Sequence, residues 1–247
     1  MISVVILTKN SEKTIEKTID SAIDFEEIIL LDNFSTDNTL LIAKKNKKIK
    51  IIQHEIKGFG SLRNYGASLA KNSWILALDS DEVITKELKQ EILNLKKNDM
   101  EIYSIPFKNY YNNKHIKGCG WHNESHTRLY NKKNTSFSES LVHEKVIEKN
   151  LSKIKLKNHI IHTSYVEIED FLNKMNYYST LFAKQNKNKK KSSLSKAIFH
   201  GLFAFFKSYI IKKGIFLKKE GFIISVYNAN TAFYKYLKLM EYNNKCS

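Results

Sequence analysis

The chain has 247 residues and a mass of 28.8 kDa; at roughly 150 residues per domain that is one large domain, or one domain with an appendage. A hydrophobic share of 42% supports a core and excludes wholesale disorder, while only two cysteines, Cys119 and Cys246, exclude a disulfide framework and point to a reducing, cytosolic compartment. With 41 Lys and Arg against 25 Asp and Glu, the net charge is +16, which favours a polyanionic partner (nucleic acid, an anionic membrane surface or a phosphorylated ligand), unless the abundance of Lys and Asn reflects codon bias alone. Uninterrupted apolar runs such as residues 202–206 fall well short of the roughly 18 needed to cross a bilayer. Residues 1–5 lack the basic leader of a secretory signal and run directly into a strand pattern.

Residues 2–7 form a continuous apolar run that reads as a buried strand. Asn10 or Ser11 is placed to cap a helix carrying Ile15, Ile19 and Ile23. Residues 26–31 are a second strand, closed by Asp32, and Ser35 or Asp37 then caps a helix to about residue 46. Residues 50–53 read as a strand, 61–71 as a helix, and 74–78 as a fourth strand that stops at Asp79-Ser80-Asp81-Glu82. Thr85 caps the next helix, and 101–107 is a fifth strand. Strand–helix alternation predicts an α/β fold with a mostly parallel sheet flanked by helices, in which ligands bind beyond the carboxyl ends of the strands. The expected division is a catalytic domain over residues 1–168 and a helical region over 169–247. The latter is basic: residues 171–219 contain twelve Lys and no Asp or Glu, interleaved with Phe, Ile and Tyr. That pattern fits a peripheral helix on an anionic membrane, or an apolar face packed on the catalytic domain with its lysines merely solvated.

Three segments carry chemistry. Asp79 and Asp81, at i and i+2 on a turn, suit a hard divalent cation, Mg²⁺ or Mn²⁺, held between carboxylates and the phosphates of a ligand; the alternative is that they cap the following helix. Asp32 is placed to accept hydrogen bonds from a base or ribose, or to cap its own loop. Arg63, in Gly58-Phe59-Gly60-Ser61-Leu62-Arg63-Asn64-Tyr65-Gly66, is placed to grip a base or phosphate, or is an ordinary surface arginine. No Gly-x-Gly-x-x-Gly follows the first strand, and no phosphate-loop motif is present.

Taken in order, the first strand ending Ile6-Leu7-Thr8-Lys9-Asn10, the Leu31-to-Thr39 loop, the Arg63-Asn64 helix and Leu78-Asp79-Ser80-Asp81-Glu82 resemble the family 2 glycosyltransferases of the GT-A fold, over residues 2 to about 90. Gly120-Trp121, Arg128-Leu129-Tyr130, Leu141-Val142-His143-Glu144-Lys145-Val146, His162-x-Ser164-Tyr165 and Tyr234-Lys235-Tyr236-Leu237-Lys238 resemble the subgroup of bacterial glucosyltransferases acting on the lipopolysaccharide inner core. The resemblance implies that Thr8, Asp32, Arg63, Asp79 and Arg128 hold the nucleotide. It implies that Asp79 and above all Asp81 bind the metal with His143, and that Glu124 or Glu144 is the general base of an inverting transfer. Two departures from the pattern stand out. Asn33 replaces an acid often seen there, and Asn123-Glu124 replaces a Pro-Asp pair. The implied donor is a nucleoside diphosphate sugar (UDP-glucose by the subgroup), and the implied acceptor a glycolipid or lipid-linked saccharide. The implied location is the inner face of a bacterial cytoplasmic membrane, with no nucleic-acid partner. A nucleotidyltransferase is disfavoured because Thr8-Lys9-Asn10-Ser11 lacks the Gly-rich basic loop, and a nucleic-acid-binding protein because no reading module is present.

Overall fold

The computed structural model describes residues 1–55, 58–139 and 144–244. They form, in chain order, β1 (Ile2–Thr8), α1 (Ile15–Ala22), β2 (Glu27–Asp32), α2 (Thr39–Lys44), β3 (Ile49–Gln53), α3 (Phe59–Leu69), β4 (Trp74–Asp79), β5 (Glu82–Ile84) and α4 (Lys86–Leu93). There follow β6 (Glu101–Tyr111), β7 (Lys114–His115), β8 (Ser125–Asn131), β9 (Ser152–Lys155), β10 (Ile160–His162), α5 (Ile168–Asn186), α6 (Leu194–Phe206) and α7 (Lys218–Asn244). The chain makes two compact units: Met1–Lys108 with Asn123–Thr163, and Asn109–His122 with Ser164–Ser247.

In the first unit the sheet order is β3-β2-β1-β4-β8-β6-β10-β5. Strands β1 to β4 pair in parallel. The residues of β1, β2 and β4 are buried on both faces because helices cover both sides, which explains the unbroken apolar sequences of β1 and β4. One core layer joins Val4, Ile6, Ile28, Leu30, Leu76 and Leu78 to Ile15 and Ile19 of α1, and the other joins Val5, Leu7, Ile29, Leu31, Ile75 and Ala77 to Leu62 and Ala67 of α3. Gly66 permits that second packing. A Cβ there would sit 2.5 Å from Val5 Cγ1 and 2.7 Å from Leu31 Cδ1. Beyond β4 the sheet turns antiparallel through β8 and β6.

Thr85 caps α4 as expected, its hydroxyl accepting the Leu88 N–H. The first loop differs from expectation. α1 starts at Ile15, one turn after Ser11, and Asn10 ties the first loop to the second: its side chain accepts the Thr36 N–H at 2.8 Å while its own N–H donates to Ser35 Oγ. The loops at the carboxyl ends of β1 and β2 are thereby fixed to each other.

The second unit is a short hairpin (β7 with the end of β6) and three long helices. Its core is Tyr111, Ile116, Cys119, Tyr165, Phe171, Leu217 and Ile224. Tyr165 and Phe171 stack at 4.0 Å between ring centroids, and Trp121 stacks on Tyr165 at 5.2 Å. Contrary to the expectation drawn from uninterrupted runs, Leu194–Ile211 has the length and mean hydropathy, 1.2, to cross a membrane.

Candidate active site

Parallel register aligns the strand ends. Thr8 stands beside Asp32, and Leu7 beside Asp79, so Thr8, Asp32 and Asp79 share the carboxyl edge of three adjacent strands. The Thr8 hydroxyl is buried without a hydrogen-bond partner. Asp32 is fully buried, and both its oxygens are engaged, by the Ser35 N–H and hydroxyl and by Gln53 Nε2 at 3.1 Å.

Asp79 is the hub. Arg63, from α3, donates Nη2 to its Oδ1 at 2.6 Å, and Arg128, from β8, donates Nη2 to its Oδ2 at 3.0 Å. Both arginines are buried, with 2% and 8% exposure. The same Arg128 nitrogen donates to Glu82 Oε1, and the other Glu82 oxygen accepts the Asp79 N–H at 3.0 Å. Glu82 is itself only 1% exposed. Burial works to raise the Asp79 carboxyl, but Arg63 and Arg128 outweigh it and hold the group below the usual carboxylate range. Glu82 goes the other way: burial drives it up and Asp79 reinforces the rise, against the pull of Arg128. Arg63 rests over the Phe137 ring and Arg128 over Phe107, at 5.2 and 5.5 Å from the centroids. Even so, Arg63 Nη1 and Nε and Arg128 Nε have no hydrogen-bond partner. Buried guanidinium N–H groups left this way favour an incoming anion.

Around the turn, Asp81 Oδ1 lies 3.6 Å from His162 Nε2, at the end of β10, and the Asp81 carbonyl accepts the Thr163 N–H. Burial lowers the His162 pKa, but Asp81 more than reverses this, so the imidazole is raised above its ordinary value. Ser80 is fixed by Thr18 Oγ1 on its carbonyl and Ser11 on its hydroxyl. Phe107 packs edge-on against both His126 and His162. Burial, with Arg128 and His162 close by, pushes His126 down to about 4.

Of the residues singled out in the sequence, Arg63, Asp79, Arg128 and Glu144 meet directly, with Glu144 Oε1 3.5 Å from Arg63 Nε. Thr8 and Asp81 flank them in the chain and sheet. Glu124 sits one residue before β8, its carbonyl accepting the Phe107 N–H. His143 lies outside the described residues. Two members of the network were not anticipated as site residues, Glu82 and His162. Glu82 opens and His162 closes a three-residue strand, and their pairing has no local signature. Among the described residues no group of three His, Cys, Asp or Glu side chains is arranged to hold a metal ion. A hexacoordinate hard cation needs less: one or two carboxylates, with phosphate and water supplying the rest. Asp81, whose side chain is 22% exposed, is the carboxylate placed for that mode, whereas both oxygens of Asp79 and of Glu82 already accept hydrogen bonds.

An α/β sheet of this kind offers its carboxyl edge to ligands, and a buried arginine–carboxylate network lies at that edge here. The family model for glycosyl transferase family 2 matches residues 3–151, and the chain belongs to that family. It is 30% identical over 261 residues to an uncharacterized glycosyltransferase of Rickettsia bellii, covering 100% of this chain and 88% of the relative. It is 32% identical over 254 residues to another from Rickettsia felis, covering 97% and 89%. Among solved structures it resembles S. aureus TarS 1-349, with a TM-score of 0.48 and 20% identity over 100% of this chain and 92% of that one.

Proposed function

We propose that the protein is an inverting glycosyltransferase that moves glucose from UDP-glucose to a lipopolysaccharide or lipooligosaccharide core, or another glycolipid acceptor, at the inner face of a bacterial cytoplasmic membrane. The observation that carries the donor reading is the convergence of two buried arginines, each with unpartnered N–H groups, on Asp79 at the carboxyl edge. In this reading Arg63 and Arg128 face the diphosphate, Thr8 and Asp32 the nucleoside, and Asp79 orders both guanidinium groups while reaching the ribose or metal. Asp81 holds Mg²⁺ or Mn²⁺, with His143 or the neighbouring His162 beside it; the cation supplies charge neutralisation on the departing diphosphate.

The acceptor hydroxyl oxygen attacks the anomeric carbon from the face opposite the leaving group. The new C–O bond forms as the bond to the β-phosphate breaks, the hydroxyl proton passes to a carboxylate, and UDP departs with the electron pair. Glu124 is the preferred base. Glu144 Oε1 already faces Arg63 Nε at 3.5 Å. Catalysis belongs to residues 1–168 apart from Asn109–His122 and 164–168, which fold with the helical unit, and the helical region 169–247 serves the membrane-bound acceptor.

The test is a thermal-shift panel of nucleotide sugars with and without Mn²⁺ or Mg²⁺. A donor present at a hundred times its Kd stabilises the native state by about 2.7 kcal/mol, which is roughly 5–10 °C for a chain of this size. UDP-glucose with metal is expected to give that shift. If no nucleotide sugar moves the melting point with either ion, the donor reading is wrong.

A further inference from the structure

α6 and the turn that follows it present their faces the wrong way round for a helix in water. Ala197, Gly201 and, after α6, Ser208 are buried. A Cβ on Gly201 would lie 3.2 Å from Phe233 Cβ, so this small-residue strip is seated against α7. The opposite face carries Ile198, Phe199, Leu202, Phe203, Phe206 and Ile210, all exposed, with Phe199 at 65% and Leu202 at 69%. A water-facing helix ordinarily turns its polar stripe outward, and contiguous apolar surface of this extent marks a contact. Phe216, on the short turn before α7, is 78% exposed.

The charge around this face selects the occupant. Lys189, Lys190, Lys191 and Lys196 precede or open α6, and Lys207, Lys212, Lys213, Lys218 and Lys219 follow; all nine are exposed. No Asp or Glu occurs between residues 171 and 219. A second copy of the chain would bring two such lysine sets face to face. A membrane-spanning placement would strand the small-residue strip seated on α7. We propose that this face is a monotopic membrane anchor. α6 lies in the plane of an anionic bilayer, its aromatic and aliphatic face sunk at the acyl boundary and its flanking lysines on the phosphate headgroups. The inference deepens the membrane part of the function proposed above and rests on it, while standing apart from the donor reading.

The experiment is flotation of the full-length protein with vesicles of phosphatidylcholine alone or mixed with phosphatidylglycerol, with UDP-glucose binding measured on the same samples. The wild type is expected to float with the anionic vesicles, to release in high salt or alkaline carbonate, and to stay largely unbound with neutral ones. Leu202→Ser with Phe206→Ser should weaken vesicle partitioning about tenfold or more. Lys212→Gln with Lys213→Gln should weaken it about 25-fold, at about fivefold per lysine removed from an anionic surface. Far-UV circular dichroism and donor binding should stay unchanged in both. The proposal is overturned if the wild type does not float, if either variant floats as well as it does, or if binding resists carbonate. It is also overturned if the wild type forms a dimer that Leu202→Ser with Phe206→Ser dissolves, since the face would then be a self-interface. Loss of donor binding with flotation intact would instead count against the transferase reading alone.

Discussion

Arg128 and Glu82 form an ion pair whose contribution is measured by removing first one partner and then both. Arg128→Met keeps the aliphatic volume over Phe107 but strips the guanidinium from Glu82, which is 1% exposed and has one oxygen on the Asp79 N–H. Asp79 keeps Arg63 at 2.6 Å, so the main loss falls on Glu82. Breaking a buried pair from one side costs about 3–5 kcal/mol, because the remaining carboxylate must either stay charged without its counter-charge or take up a proton, as the burial that already drives its pKa up favours. At about 2–4 °C per kcal/mol for a chain of this size, the melting point should fall by roughly 6–20 °C. Adding Glu82→Gln removes that charge while its amide oxygen can still accept from Asp79. The double variant should therefore lie within about 1.5 kcal/mol of wild type, since replacing both partners of a buried pair is often close to neutral. The assay is urea unfolding followed by circular dichroism on wild type, both single variants and the double variant, in metal-free buffer, which closes a double-mutant cycle. A coupling energy of about 2 kcal/mol or more is expected. Arg128→Met within 1 kcal/mol of wild type, or a double variant no more stable than that single one, refutes the account of Glu82 as a buried charge held by Arg128.

Four further outcomes are expected. Arg63→Lys keeps the charge but loses the fork that reaches Asp79 and leaves N–H groups for an anion, so UDP-glucose affinity by calorimetry should fall about 10- to 100-fold; unchanged affinity would separate Arg63 from the donor. Glu124→Gln should lower single-turnover rates about 10²- to 10⁴-fold with donor affinity nearly intact, and normal turnover in both Glu124→Gln and Glu144→Gln would leave neither as the base. Asp81→Ala should abolish the metal-dependent part of donor stabilisation, read as the difference with and without the ion so that loss of the His162 pairing cancels; a retained metal-dependent shift would move the ion elsewhere. Cys119 is buried, and burial raises its thiol above the ordinary value, which disfavours the reactive thiolate. In a Cys246→Ser background native protein should resist a thiol-specific disulfide reagent that reacts at once in urea, and rapid labelling of native protein would show the second unit opening at that core.

What was legible in the sequence follows from locality. The strands β1, β2 and β4 are covered on both faces by helices, so burial writes itself as unbroken apolar runs, and these were readable to within a residue or two at each end. β8 reads Ser-His-Thr-Arg-Leu-Tyr-Asn, polar at both ends, and pairs antiparallel with β4 across some fifty residues of chain, a partnership no local pattern encodes. β5 and β10 are three residues each and exist as strands only through one another. The helical character of α6 was legible, but uninterrupted runs hid its membrane-like hydropathy. Lys196, His200 and Lys207 interrupt every apolar run, while the average over Leu194–Ile211 still reaches membrane-like hydropathy. The acidic turn after β4 was legible as a candidate site, and the competing view that it caps α4 fails for a local reason: β5 intervenes, and Thr85 provides the cap.

The two arginines carry a signal that composition hides. Of the 41 basic residues only Arg63 and Arg128 are arginine, and every other one is lysine. If codon bias set this ratio, the exceptions should scatter over the surface. Instead both are buried, 65 positions apart in sequence, and both donate to the two oxygens of one carboxylate, Asp79. The physical requirement there is one that lysine does not meet. A guanidinium is planar, stays charged when desolvated, and can bond a carboxylate on one edge while its other N–H groups remain directed at a second anion. A lysine at either place would compress its charge onto a single ammonium, and its pKa would fall on burial. The basic excess is therefore two features with different physics: a diffuse lysine field that acts at long range and weakens with salt, and a pair of buried forks whose geometry persists in salt. Raising ionic strength should accordingly weaken vesicle binding far more than donor binding, and equal sensitivity of the two would mean that the arginines act only as charge.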